Sequence, residues 1–309
     1  MRNLLASILL LLPAAALAAP PPPATPAASA APEVSVTTPA ATVTVNVPAV
    51  SVKIRRVQKD DSGATAALSG TVPVPARVTN LDLQARVGQV HIRTADTDRI
   101  QVKVHATSGG EGHFIFHWTT GTSSGSAEAG GLPKDLHLVT QRNGNTMALC
   151  LTADTSRHEC NHSGVEGSGW KADWELVVPA RLHLELHGGV ISGTVRGVAG
   201  GVTAHVGVGK LQLALPRGPV TARVGVGKLE VRVASPDYGS VHLTAGVGNT
   251  HFQVGDRTIK AGYRHEFTSS GQETTGPGTT TYDLKAGTGE VTLHLGVSNP
   301  GKGMGEHDE

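Results

Sequence analysis

A ten-residue segment from Ala204 to Leu213 (AHVGVGKLQL) returns 18 positions later, from Ala222 to Val231 (ARVGVGKLEV), with its glycines and lysine in place. A chain that repeats over so short a period folds as a stack of similar units, because one unit alone cannot bury its apolar face. Weaker copies run from Leu83 to Ile92, Gly189 to Val195, Leu243 to Phe252 and Leu284 to Leu293. With the second glycine of each copy as anchor, the anchors are Gly88, Gly193, Gly209, Gly227, Gly248 and Gly289, and the last five lie 16, 18, 21 and 41 residues apart. The final gap is about two periods, and a degenerate unit with a Gly/Ser/Thr-rich excursion is expected between Asp256 and Thr281.

The anchor glycine has a physical task. Apolar residues precede it by five, three and one positions (Ala204, Val206, Val208) and follow it by two and four (Leu211, Leu213). The inward parity therefore flips across the glycine, which a straight strand of period two cannot do. A bend or bulge can, and glycine adopts the required backbone angles without a Cβ clash. Each copy is expected to be two short strands meeting at a corner, with apolar side chains inward on both sides. Alternation of period two recurs at Leu81/Leu83, Val102/Val104, Leu136/Leu138 and Leu182/Leu184/Leu186, and no segment beyond the N-terminal run has helical periodicity. The expected fold is all-β: a single-stranded β-solenoid or β-roll of stacked glycine-cornered strand repeats over residues 57–297. The gap between Gly88 and Gly193 holds both cysteines and all three tryptophans (Trp118, Trp170, Trp174), and a Cys-containing insertion is expected there at about 106–172.

The ends of the chain point to export. Arg2, the apolar run Leu4 to Leu12 and the small-x-small triplet Ala16-Leu17-Ala18 read as a Sec-type signal peptide over residues 1–18, with cleavage after Ala18. The apolar run falls short of the roughly 20 residues that span a bilayer, and no later run has that length, so no transmembrane segment is expected after signal removal. Residues 19–56 read as a Pro/Ala-rich linker with a weak β pattern interrupted by Pro39 and Pro48, since proline removes ladder donors. Residues 298–309 form a polar tail. The location implied is the periplasm or the medium outside a bacterial cell, an oxidising setting in which the two cysteines, Cys150 and Cys160, are expected to pair.

Side chains capable of chemistry are sparse. The Gly207-Val208-Gly209-Lys210 element and its copy at Gly225 to Lys228 lack the GxxxxGK[ST] spacing and the following helix of a phosphate loop. No Asp follows the corner glycines, which excludes calcium-binding nonapeptide repeats. The position after each corner would form a mixed-charge column of Gln89, Thr194, Lys210, Lys228, Asn249 and Glu290. Further outward positions are Arg196, Gln212, Glu230, His251 and Thr292, an unfocused row for a catalyst. His158, Cys160 and His162 would project to one side of an extended segment, and imidazole plus thiolate suits zinc or copper, but Cys150 competes for the same Cys160. His113 and His117 are a second, weaker pair of ligand type. No acidic pair or nucleophile elbow stands at a recognisable spacing. No cofactor is implied, and the chain is read as non-enzymatic. Net charge is +1 with both signs interspersed, which gives no footprint for nucleic acid. The partner left open is an envelope protein or glycan; the alternatives are a β-helix enzyme acting on polysaccharide and a metal-binding envelope protein.

The segment Trp174-Glu175-Leu176-Val177-Val178-Pro179-Ala180-Arg181-Leu182-His183-Leu184, a strand ending in Val-Pro before an aliphatic strand and then glycine-marked repeats, resembles the bacterial putative-adhesin family, a domain of unknown function also called toastrack. The resemblance covers about Leu68 to Gly296. It implies a β-strand-repeat domain at the cell envelope with no established activity and no catalytic residues. The Cys150 to Cys160 segment and the long linker stand outside it.

If the cysteines pair, protein isolated without reductant and then denatured should show no free thiol. Reduction should lower stability by about 2–3 kcal/mol, the value for closing a loop of about ten residues, as read from denaturant unfolding with and without reductant.

Overall fold

Long strands bent once near their middle build most of the molecule. The computed structural model describes residues 34–38, 41–45, 51–56, 65–108, 136–152, 160, 170–260, 263–266, 269–298 and 300. All lie within one compact unit, Glu33–Glu309. Every helix-or-strand element among them is a strand. The signal-peptide reading and His113, His117, Trp118, His158 and His162 fall outside the described residues.

β1 (Val34–Thr38) and β2 (Ala41–Val45) form a two-stranded antiparallel sheet. The other strands join one open sheet. They are β3 (Ser51–Arg56), β4 (Thr65–Pro73), β5 (Asn80–Ala95), β6 (Arg99–Ser108), β7 (His137–Asn143), β8 (Thr146–Thr152), β9 (Trp170–Pro179) and β10 (His183–Arg196). β11 (Val202–Leu215), β12 (Val220–Val233), β13 (Ser240–Val254), β14 (Arg257–Thr258), β15 (Tyr263–Glu266), β16 (Ser269–Thr275) and β17 (Thr281–Leu295) follow.

Six long strands, in the spatial order β5, β10, β11, β12, β17, β13, run parallel and in register. Each has a first limb, a corner and a second limb. The corner glycines Gly88, Gly209, Gly227, Gly248 and Gly289 have φ between +134° and +139°, a region that side chains with a Cβ rarely adopt. Space is as restrictive as angle: a Cβ built on Gly227 would overlap the carbonyl oxygen of Gly209, and one on Gly209 that of Ile191. Two positions earlier the ladder skips a residue. Val206↔Val224 is followed by Val208↔Val226 at an unchanged offset, and Gly207 and Gly225 drop out of the ladder together, a kink repeated at the same height in each strand. Buried positions on both limbs, such as Ala204 and Val206 before the corner and Leu211 and Leu213 after it, belong to one hydrophobic cluster.

Three expectations are corrected. Gly193 is not a corner: the register places Ile191 opposite both Gly88 and Gly209, while Gly193 stands opposite the core residues Val90 and Leu211. Ile191 is 2 % exposed and fills the space beside Gly188, where a Cβ would collide with Ile191 Cδ1; at Gly193 the space is taken by Leu211, whose Cδ1 would lie 2.9 Å from a Cβ. Secondly, the valine just before the corner does not point inward. Val87, Val190, Val226 and Val247 are 44 %, 39 %, 50 % and 47 % exposed, because the kink leaves four successive residues outside the core. Thirdly, the stretch from Asp256 to Thr281 is not a degenerate unit in sequence order. β16 pairs antiparallel with the first limb of β13, and β17 then inserts between β12 and β13.

Beyond β5 the bent strand is replaced by two straight ones. β8 pairs parallel with the first limb of β5 (Leu83↔Leu149) and β9 with the second (Val90↔Trp174). Separate strands need no corner, so the glycine signature disappears there. β6 and β4 continue antiparallel from β9, and β3 pairs with β4. Residues 136–152, within the stretch read as an insertion, thus take part in the sheet. Cys150 on β8 is bonded to Cys160 with Cα atoms 5.7 Å apart, and the Cys160 N–H donates to Gln141 Oε1 on β7 at 3.2 Å.

The corner predicts a contrast between glycines. Gly227→Ala should destabilise by about 3 kcal/mol or more, combining backbone strain with overlap against a carbonyl that the stack holds in place. Gly144→Ala, at a hairpin with φ +60° and open space around it, should cost about 1–2 kcal/mol. Denaturant midpoints of the two variants check the difference.

Candidate binding face

The bend gives the parallel stack two outward faces, and register fixes which residues share a row on each. On the first limb, Gln84, His187, His205, Arg223, Lys285 and Thr244 form one row, beside Asp82, Glu185, Thr203, Thr221, Asp283 and His242. Two permanent cations meet three carboxylates here, and local pairs absorb several of them. Lys285 Nζ lies 3.2 Å from Asp283 Oδ1 and His187 Nε2 lies 3.8 Å from Asp82 Oδ1. The His187 and His205 rings stack with centroids 5.6 Å apart. Burial, then His187 and Arg223, push the His205 imidazole below its ordinary value.

The second-limb face carries three rows in the same strand order. Next to the corner stand Gln89, Ser192, Lys210, Lys228, Glu290 and Asn249. The middle row holds His91, Thr194, Gln212, Glu230, Thr292 and His251, and the far row Arg93, Arg196, Ala214, Arg232, His294 and Gln253. Because the corner of β10 is Ile191, Ser192 takes the place expected for Thr194, and Arg196 moves one row outward. Permanent cations number five against two carboxylates, an excess of three in a chain whose net charge is +1.

The middle row is sunk at its centre. Gln212, Glu230 and Thr292 are 9 %, 8 % and 7 % exposed, whereas the side chains of Lys228 and Glu290 beside them are 41 % and 40 % exposed. Glu230 is the hub: Arg232 Nε donates to its Oε1 at 2.8 Å and Gln212 Nε2 approaches its Oε2 at 3.4 Å. Burial alone would raise the Glu230 carboxyl, but Arg232, the hydrogen bonds from Arg232 and Gln212, and Lys228 outweigh it and hold the group below the usual carboxylate value. Lys228 Nζ pairs with Glu290 Oε2 at 3.3 Å, and Thr292 Oγ1 donates to Glu290 Oε1 at 3.1 Å. His294 lies below its ordinary value through burial first, then the charges of Arg232, His251 and Lys228, with Glu230 opposing.

The residues foreseen as outward are thereby brought onto one face. Arg93, Arg232 and His294 of the far row were not among them; their signal is period-two parity carried five positions beyond the corner. Cys160 is committed to its disulfide, which removes it as a thiolate ligand. Among the described residues, no three His, Cys, Asp or Glu are grouped to hold a metal ion, and no helix is long and apolar enough to cross a membrane.

The crystal structure of a putative cell adhesion protein from Clostridium sporogenes is similar to this chain at 13 % identity and a TM-score of 0.40, over 80 % of this chain and 98 % of that one. No protein-family model and no curated protein matches the chain.

The imidazoles make stability depend on pH in a defined direction. His205 and His294 sit below the free value of 6.5 in the folded state, so just below that pH the unfolded chain binds more protons. Stability should be complete above about pH 6.5 and decline as pH falls through the folded values. Glu230, held low, keeps its charge further into acid. Thermal midpoints should therefore drop between about pH 7 and 5, and the drop should be smaller in the His205→Gln/His294→Gln variant.

Proposed function

We propose that the chain is an exported, non-enzymatic binding module of the bacterial envelope that offers the second-limb face to an envelope component. The observation carrying this reading is the form of that face: rows of polar and cationic side chains on a continuous sheet, with carboxylates tied to neighbouring cations. Glu230 is held by Arg232, and Glu290 by Lys228. A glycan-cleaving site needs two carboxyl groups kept in different protonation states; Glu230, held below the usual carboxylate value by Arg232 and its hydrogen bonds, does not supply the acid, and Glu290 is engaged by Lys228. The run with corners at Ile191, Gly209 and Gly227, 18 residues apart, is the part of the sheet we read as a three-rung β-roll. The resemblance to the toastrack family favours the envelope, and a disulfide suits an oxidising compartment.

Co-sedimentation of the purified mature chain with isolated bacterial envelopes, with release of reducing ends followed in the same reactions, tests the reading. Saturable co-sedimentation without release is expected. Saturable release of reducing ends would overturn the non-enzymatic assignment, and absence of co-sedimentation would overturn the binding role.

A further inference from the structure

Resting on that reading, we propose that the second-limb face binds a linear acidic polysaccharide, lying across the strands, whose sugar units carry both carboxylate and hydroxyl groups. The first argument is charge. The three rows of this face carry an excess of three cations, while on the first limb Arg86, Arg223 and Lys285 balance Asp82, Glu185 and Asp283. Such an asymmetry attracts an anionic partner to one side of the sheet, independently of the near-neutral whole.

The second argument is periodicity and shape. Parallel strands repeat every roughly 4.8 Å, so Lys210 and Lys228, on adjacent strands in one row, present ammonium groups at a regular step on a fixed backbone. Arg93 and Arg196 do the same with guanidinium groups in the far row. Between these rows lies the sunken middle row around Gln212 and Glu230. A chain laid along it would meet cations on both flanks.

The third argument is the chemistry of the floor. Gln212, Thr194 and Thr292 donate and accept hydrogen bonds, and Glu230 accepts only. Carboxylates repel a phosphate polymer at close range but accept from sugar hydroxyls. Nucleic acid is disfavoured further because none of the residues in the three rows is Phe, Tyr or Trp, and single strands are gripped through base stacking on aromatic rings. A polymer with anionic groups for the flanks and hydroxyls for the floor is the complement.

Binding of the full mature chain to polygalacturonate, measured at low and moderate salt, tests the assignment, with fully methyl-esterified polymer and double-stranded DNA as comparators. Polygalacturonate should bind saturably, weaken with added salt, and lose about tenfold or more on esterification. Lys210→Gln/Lys228→Gln should lose about tenfold, whereas Arg223→Gln/Lys285→Gln, which removes the same charge from the first-limb face, should stay within about twofold. Arg93→Gln, at an exposed position, gives a second variant that reads the same face should the lysine pair impair folding, and it should also weaken binding. No saturable binding, equal loss in the first-limb variant, equal affinity for the ester, or DNA bound as tightly would each overturn the proposal. Should polygalacturonate fail while envelope co-sedimentation persists, the ligand class falls and the binding role stands.

Discussion

The structure depends on a contact in which each corner glycine lies against a carbonyl oxygen of the neighbouring strand. At Gly209, Gly227, Gly289 and Gly248 the position of a Cβ is already taken by the carbonyl of the corner residue next in the stack. That approach lets six bent strands keep a common register on both sides of the bend. Without it the two limbs would have to pair separately, and their inward faces would not be held over one core. The backbone angle and the close approach demand the same residue, so the corner is determined twice over.

Two departures from the glycine rule show what the corner needs. On β10 the residue opposite the corners is Ile191, and glycines stand instead at 188 and 193, where its side chain and that of Leu211 occupy the space. Core volume is kept although its source has moved along the strand, consistent with cores that tolerate exchange when total volume is preserved. On the far side of β5 the corner ends because β8 and β9 each take one limb, and the Ala172 carbonyl closes against Gly88.

A single bend also gives the parallel stack two outward surfaces that differ in charge. Outward residues on the two limbs belong to the same strands, yet they form separate surfaces with different charge balance. On the first limb, Asp82 pairs with His187 and Asp283 with Lys285, and the charges of the two signs are equal in number. On the second, Glu230 and Glu290 are enclosed by a larger set of lysines and arginines. Because the side chains are anchored on adjacent strands of one sheet, their spacing is a property of the backbone.

Period-two alternation and the near-verbatim copy at Ala204 and Ala222 were enough to read an all-β chain, and the parity change across Gly209 and Gly227 was enough to demand a bend there. These are local properties, set by side-chain alternation and by glycine's freedom at positive φ. Gly193 misled because it shares composition with the corners, while the true corner on β10 is recognised only by what lies opposite Ile191. Val208 misled because the kink at Gly207 ends the inward parity before the glycine that marks the corner. The insertion of β17 between β12 and β13, and the sharing of β5 by β8 and β9, were not legible either, since strand neighbours far apart in sequence are chosen by which edges remain open once the local units have formed. The second-limb face follows the same division: its residue types stand in the sequence, but the rows that place Lys210 beside Lys228 and Arg93 beside Arg196 exist only in the register of the folded sheet.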